Sequence, residues 1–425
     1  MGINGLTKLL GDNAPGSRKE SVPAAMFGRK IAIDASMSIY QFLVAVRHGS
    51  EQLTNDSGEV TSHLTGIFYR TIKLMESGMK PIYVFDGKPP AFKSEELQKR
   101  REKARLAEEA LKKATEAGDQ DEIEKYSKRT VRATKQHSLE VMRLLRLMGV
   151  PVVQATGEAE ATCATMARAG LCYATGTEDM DALTFGTPVL VRNLHKSEAQ
   201  KLPLLEFNLQ RALQELELTM DQFIDMCILC GCDYTDHIKG IGPKRALQYI
   251  RQYGSIEKML PHLDKDKYPL PKVFPYEEAR RLFKEPDVTS TADVEKELKW
   301  SDPDEEGLKK FLCDEKMFAP ERIENGLKRI KKCKSKGTQG RLDSFFKVTA
   351  TTVKRPAAAA GGGKAKKAKK AAKPRDKPKK KPAPAFASGF TSSAASAAAC
   401  AAEEEEPAAK ATASSTDSAT PFWAR

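Results

Sequence analysis

Two kinds of hydrophobic spacing alternate along the first three quarters of the chain. Residues 30–34 (KIAID) and 81–85 (PIYVF) are short β-rich apolar runs of strand length, while 62–76 between them places its apolar residues at helical intervals. The stretch SMSIYQFLVAVR that follows the first run also has a helical pattern, so the order predicts parallel strands joined by helical crossovers. From Phe92 to His137 the pattern changes: charged, helix-forming residues dominate, with a break at Ala117, Gly118 and Asp119. That predicts two solvated helices joined by a turn and standing out from the body. Alternation then returns, with a helix in LEVMRLLRLM, a strand in PVVQA, a helix in ATCATMARAG and strands in LCYATG and PVLVRNL. The stretch 217–256 is expected to be helical with an interruption at CDYTDHIKGIGPKRALQYI. The predicted class is α/β: a mixed, mainly parallel twisted sheet flanked by helices.

Composition changes this picture at the C-terminal end. Residues 347–425 are Ala, Lys, Pro, Gly and Ser with little to bury, and are expected to be disordered. They carry 16 Lys and Arg against 6 Asp and Glu, which is ten of the formal net charge of +13. The rest of the chain is close to neutral, so any nucleic-acid binding by the folded part has to come from local basic patches. At 425 residues and 40% hydrophobic composition the chain can bury a large core. No apolar run approaches the ~20 residues a membrane-spanning helix needs. Eight cysteines without disulfide-like spacing point to reduced thiols in an intracellular protein, and Cys227, Cys230 and Cys232 are expected in the core. Leu6 stands where a myristoylation signal requires Ser or Thr.

The chemistry lies in seven acids: Asp34, Asp86, Glu158, Glu160, Asp179, Asp181 and Asp233. Asp34 and Asp86 end apolar strand-like runs, and side chains at strand C-termini line the ligand crevice of an open parallel sheet. Glu158 with Glu160, and Asp179 with Asp181, are i, i+2 pairs, a spacing that does not serve helix salt bridges. So many carboxylates in one place need cations, and oxygen ligands select hard ions, Mg²⁺ or Mn²⁺. Two such ions would activate water and stabilise the leaving oxygen of a phosphodiester. The six histidines are scattered with no H-x-x-x-H pair, which disfavours a zinc hydrolase.

Gly240 and Gly242 in GIGPKRAL lie just ahead of a helix that starts with Pro243 and carries Lys244 and Arg245 in its first turn. Glycine permits close backbone approach, and a helix N-terminus offers N–H donors to a phosphate. The run resembles the helix-two-turn-helix of structure-specific nucleases. Together with GINGLTKLL, IAIDAS, YVFDGKPP, GEAEA, TEDMDALTFG and QGRLDSFF, it makes residues 1–346 similar to the flap endonucleases, the 5′-nucleases of replication.

The resemblance implies one ion on Asp34, Asp86, Glu158 and Glu160 and a second on Asp179, Asp181 and Asp233, with Gly2 near both. It implies that the charged hairpin is an arch over the 5′ strand, with Lys93 and Arg100 contacting the scissile phosphate. Tyr40 would stack on the neighbouring base; by pattern alone it belongs to the core. Arg47 and Arg70 match backbone contacts, as do Lys128, Arg129 and Lys135, placed in the second arch helix. Thr61, Lys316 and Arg322 match a pocket for a one-nucleotide 3′ flap, and a potassium-assisted glycine turn over 231–245, including Gly231, matches a duplex contact. Gln339, Leu342, Phe345 and Phe346 fit the Gln-x-x-aliphatic-x-x-aromatic-aromatic pattern recognised by the sliding clamp.

The expected organisation is a nuclease region over 1–105, the arch over 92–135, a second nuclease region with the helix-two-turn-helix over 122–253, the end of the core over 254–335, the clamp motif over 338–346 and the tail. The implied activity is 5′-flap endonuclease with 5′-3′ exonuclease, by a monomer in the nucleus (nucleoplasm and nucleolus) and mitochondrion. The basic run Lys364 to Lys381 suits nuclear import. Two alternatives stand beside it: a relative acting on repair bubbles or mismatches, and a non-catalytic clamp-bound scaffold. Asp86 and Glu158 have no long insertion between them, unlike the excision-repair relatives, and no acid is missing.

Overall fold

In the computed structural model, residues 2–45, 47–48, 51–52, 60–90, 93–194 and 202–335 are described. The proposed clamp motif and tail lie outside them. Among the described residues nine strands run in chain order: β1 Arg18–Ser21, β2 Lys30–Asp34, β3 Arg47–His48, β4 Glu51–Gln52, β5 Lys80–Phe85, β6 Val152–Gln154, β7 Ala174–Gly176, β8 Val189–Arg192 and β9 Leu204–Asn208. Seven of them form one sheet in the order β1-β9-β8-β7-β2-β5-β6, and β3 pairs only with β4. The inner pairs are parallel, with Ile33 opposite Tyr83 on one side and Gly176 on the other. β9 returns antiparallel between β8 and β1, which makes the sheet mixed. Those edge strands carry no continuous apolar run, as RKES in β1 shows, so nothing in their pattern announces them.

The first eleven helices are α1 Leu6–Asn13, α2 Ala35–Ala45, α3 Ser62–Glu76, α4 Ser94–Ala117, α5 Gln120–Arg129, α6 Lys135–Leu147, α7 Ala159–Arg168, α8 Asp181–Thr184, α9 Leu209–Leu216, α10 Met220–Cys230 and α11 Pro243–Tyr253. Tyr83 and Phe85 of β5 pack with Phe68 and Ile72 of α3 and with Ile323 and Ile330 of the last helix, Pro320–Ser335. The other sheet face packs Ala32, Ile82 and Val153 on Cys163 and Met166 of α7. A third cluster joins α1 to α10 and α11. Cys227 and Cys230 are buried in it; Cys232 is only half-buried, so the cysteine expectation holds for two of three.

The charged segment forms a hairpin. α4 ends at Gly118 in the left-handed conformation (φ 72°), and Asp119 caps α5 by accepting from the N–H groups of Asp121 and Glu122. Lys135 lies beyond it. Thr134 and His137 close a capping box that starts a new helix, α6, at Lys135, which corrects its placement in the second arch helix. No described helix is long and apolar enough to cross a membrane.

Candidate active site

Asp34 ends β2 and Asp86 directly follows β5, so neighbouring parallel strands deliver both to one edge of the sheet. Local hydrogen bonds explain why each fits there. Asp34 Oδ1 accepts from Met37 N–H (3.0 Å) at the start of α2 and its Oδ2 from Thr177 Oγ1 (3.3 Å), while Asp86 Oδ1 accepts from Ala159 N–H (2.9 Å) at the start of α7. Glu158 immediately precedes α7 and Glu160 lies in its first turn, on the same edge. Asp179 follows β7, accepts from Asp181 N–H (3.0 Å) and donates its own N–H to Thr177 Oγ1 (3.1 Å). Asp233 comes from the loop after α10. A cavity of about 310 Å³ is lined by Asp34, Asp86, Glu158, Glu160, Asp179 and Asp233.

Burial and mutual repulsion act on these acids together. Burial, then the charge of Asp86, pushes Asp34 up to about 7. Burial and the charge of Asp34 raise Glu160 well above the carboxylate range, and burial with Asp179 does the same to Asp181. Asp181 Oδ1 is buried without a hydrogen-bond partner among the described residues. An all-oxygen donor set with an orphaned carboxylate oxygen fits a hard divalent cation. Yet no three of the described acids converge closely enough to hold one as they stand. Protein cations occupy the cluster instead.

Those cations come from the hairpin. Lys93, at the start of α4, bonds to Glu158 Oε1 and lies 3.4 Å from Asp233 Oδ2; Arg100 Nη2 donates to Asp233 Oδ2 at 2.7 Å and its Nε to Glu96 at 3.0 Å. Burial works against the Lys93 charge, but Glu158, Glu160 and Asp233 outweigh it and hold the ammonium protonated. The same balance, with Asp233 as the main partner, holds for Arg100. Between the hairpin and the Gly231–His237 loop lies a larger hollow of about 970 Å³, which Tyr40, Arg100 and Arg129 also line. Tyr40 is 37% exposed and belongs to the cavities, against the core placement its pattern suggests.

Gly2 has φ 71°, and a Cβ there would run into Oδ1 of both Asp179 and Asp181. Only glycine fits. Gly231 accepts from Asn4 N–H through its carbonyl (3.2 Å), tying the N-terminal segment to the end of α10. In the glycine turn, Gly240 has φ 82°, Gly242 caps α11, and Lys244 is exposed. Arg245 bends back, donating to the Gly240 carbonyl with its guanidinium 5.4 Å from the Tyr268 ring, so it braces the turn.

The remaining candidates are outside the acid-lined cavity. Thr61 immediately precedes α3 and is buried; Lys316 donates to Glu140 (2.9 Å); Arg322 is exposed on the helix Pro320–Ser335. Arg70 is half-buried on α3 beside Tyr83, and the backbone of Arg47 is in β3 while its side chain is outside the described residues. Lys128 pairs with Glu124 (2.5 Å), and Arg129 ends α5. Gln339, Leu342, Phe345 and Phe346 are also outside.

Two residues of the site have no sequence signal of their own. Thr177 bridges Asp34 and Asp179, and Tyr234 donates its hydroxyl to Glu158 Oε2 while its ring packs 4.9 Å from Phe283. Tyr234 adjoins Asp233, the one hint available.

A model of the XPG N-terminal domain matches residues 1–107, and one of the XPG I-region matches residues 149–233. Flap endonuclease 1 of Nematostella vectensis is 58% identical over 348 residues, covering 82% of this chain and 92% of that protein. Flap endonuclease 1-A of Sorghum bicolor is 59% identical over 353 residues, covering 83% and 92%. Among solved structures, flap endonuclease-1 from Methanococcus jannaschii superposes with a TM-score of 0.59 at 36% identity, covering 77% of this chain and 98% of that one. The catalytic core of Rad2 with DNA substrate shares the fold at 24% identity, with a TM-score of 0.61 over 77% of this chain and 100% of that one. XPG-type nucleases are in general dependent on divalent metal. With this identity extending over most of both chains, the protein belongs to the flap endonuclease family and is a structure-specific flap endonuclease, a hydrolase that cleaves DNA.

Proposed function

We propose that the enzyme cuts a phosphodiester close to the junction of a 5′ single-strand flap with duplex, and also acts as a 5′-3′ exonuclease. The observation that carries this reading is the approach of Lys93 and Arg100, from the charged hairpin, onto Glu158 and Asp233 of the acid cluster. Any phosphate reaching the acids meets these two cations at once.

Two Mg²⁺ ions, for which Mn²⁺ substitutes, would be held by Asp34, Asp86, Glu158 and Glu160 and by Asp179, Asp181 and Asp233, and would supply an activated water and charge neutralisation. The chain's own groups do the rest. Lys93 and Arg100 exchange their carboxylate partners for the phosphoryl oxygens and offset the charge that develops there. Tyr40, exposed at the cavity, offers its ring to the base beside the cut. Lys244 at the start of α11 binds duplex phosphate without reading bases, with K⁺ at the glycine turn over 231–245. Arg47, Arg70, Lys128 and Arg129 add backbone contacts, and Thr61, Lys316 and Arg322 receive a one-nucleotide 3′ flap.

The biological setting proposed is Okazaki-fragment maturation and long-patch base excision repair. The enzyme acts as a monomer in the nucleus, with a mitochondrial share, docked on the sliding clamp through Gln339, Leu342, Phe345 and Phe346. Cleavage of a double-flap DNA, a blunt duplex and a bubble is compared with Mg²⁺ and with EDTA, for the wild type and Asp181→Ala. Preference for the double flap, lost in EDTA and in the variant while flap binding survives, is expected. Equal cutting of the bubble would move the enzyme to its repair relatives. Calorimetry of the clamp with a peptide spanning 336–349 tests the docking, which equal binding by a Phe345→Ala, Phe346→Ala peptide would refute.

A further inference from the structure

Away from the acid cluster, the start of α3, the middle of α6 and the segment before the last helix meet in a second charged network. Glu140 on α6 is the centre. Its Oε2 lies 3.1 Å from Nε2 of His63, whose side chain is fully buried, and its Oε1 accepts from Lys316 Nζ and from Gln136 Nε2, both at 2.9 Å. Glu140 and Lys316 are themselves only 11% and 13% exposed. Burial works against the Glu140 charge, but hydrogen bonds from Gln136 and Lys316 outweigh it and hold the carboxylate ionised.

His63 is a fixed neutral donor in this setting. Burial, and then repulsion from His137 at a ring separation of 4.5 Å, pulls its imidazole down to about 4. Its Nδ1 is buried without a partner among the described residues, so the proton belongs on Nε2, where it meets Glu140. The carboxylate is therefore clamped at one oxygen by His63 on α3, whatever happens at the other.

The backbone around Lys316 is unusual as well. A π-helical turn over Lys310–Glu315 leads into it, and Met317 follows at φ 59°, a left-handed conformation that a Met side chain disfavours. Met317 is 55% exposed. Such a turn is stable only when the surroundings hold it, and here buried Phe311 and Leu312, the pair of Glu315 with Arg143 and the pair of Lys316 with Glu140 tie it to the body. Thr61, just before α3, is two residues from His63, so the helix that follows Thr61 is the one His63 ties to Glu140.

We propose that Glu140 is a positioning residue for DNA recognition: fixed by His63 and Gln136, it holds the Lys316 ammonium at the junction of α6 with the start of α3 and thereby sets the preference for substrates that carry a 3′ nucleotide at the junction. This rests on the reading of Lys316 as a contact to that nucleotide. Without the carboxylate the ammonium loses an anionic partner, and part of the gain from its contact to DNA goes into ordering its flexible stem.

The test compares KM and kcat on a double-flap DNA with the one-nucleotide 3′ flap and on the same flap DNA without it. Glu140→Gln removes a negative charge, which on electrostatics alone strengthens binding to DNA. Under the proposal KM instead rises on the 3′-flap substrate by about fivefold, the scale of one hydrogen bond, with kcat and the second substrate unchanged. Lys316→Ala gives the same pattern, and the double variant is no worse than Lys316→Ala. An unchanged or lowered KM for Glu140→Gln, with Lys316→Ala still impaired, overturns the role of Glu140. If Lys316→Ala itself leaves the substrate preference intact, the reading of Lys316 fails instead. Should Glu140→Gln not give a cooperative melt, the exposed Gln136→Ala decides, with a smaller change expected in the same direction and none overturning the proposal.

Discussion

Removing divalent metal should make the stability of this enzyme depend on pH in a direction opposite to ordinary acid denaturation. The perturbation is EDTA against saturating Mg²⁺, with thermal melts recorded between pH 5 and 8. Asp34 is pushed up to about 7 from an ordinary 3.8 by burial and the charge of Asp86. An acid whose pKa is higher in the folded than in the unfolded state binds more protons when folded, so the metal-free fold loses stability as pH rises from about 4 to 7. The gap of about three pH units is worth ~4 kcal/mol. For a folded body of this size that is roughly 6 °C in melting temperature. His63 acts the other way: pulled down to about 4 by burial and His137, it adds stability as pH rises from about 4 to 6.5. None of the clustered acids is among the groups that shift it, so it cancels in the difference between the two arms. Stabilisation by Mg²⁺ should therefore grow across this range, because protons compete with the metal for the same oxygens. Asp34→Asn should flatten the metal-free curve. A Mg²⁺ effect of equal size at every pH would refute the account.

Tyr234→Phe removes only the hydroxyl that holds Glu158 Oε2, leaving the ring on Phe283; Mn²⁺ affinity measured by electron paramagnetic resonance should fall by about 10-fold or more, and an unchanged affinity would make the contact structural only. Lys93→Ala and Arg100→Ala should each lower the single-turnover rate more than flap affinity, since their contacts strengthen as charge develops on the phosphate. Loss of affinity alone would make the hairpin a binding surface. Lys244→Ala, on an exposed residue at the start of α11, should weaken duplex binding and reduce the slope of log affinity against log salt by about one, with the rate on saturated enzyme nearly unchanged. A slope that does not move would place the phosphate contact elsewhere.

Local sequence determined the elements with strong periodicity. The apolar runs of β2 and β5 and the helical spacing of α3 involve residues that are near neighbours in the chain, so propensity and burial agree there without help from distant parts. Glycine at 118 and Asp119 stop one helix and start another through bonds that span only a few residues. The i, i+2 acid pairs were likewise legible, because their spacing serves no local purpose that a helix could use. What only the tertiary structure decided depends on groups far apart in sequence. β1 became a strand because β9 supplied hydrogen bonds to it from residues 204–207. Tyr40 left the core because the hairpin and the Gly231–His237 loop enclose open space beside it. Tyr234, Thr177 and Glu140 look like ordinary polar residues along the chain. Their roles arise from being brought, already buried, against one particular carboxylate or ammonium, and in a low-dielectric interior the energy of such a contact depends on separation and orientation, quantities that no spacing along the chain specifies.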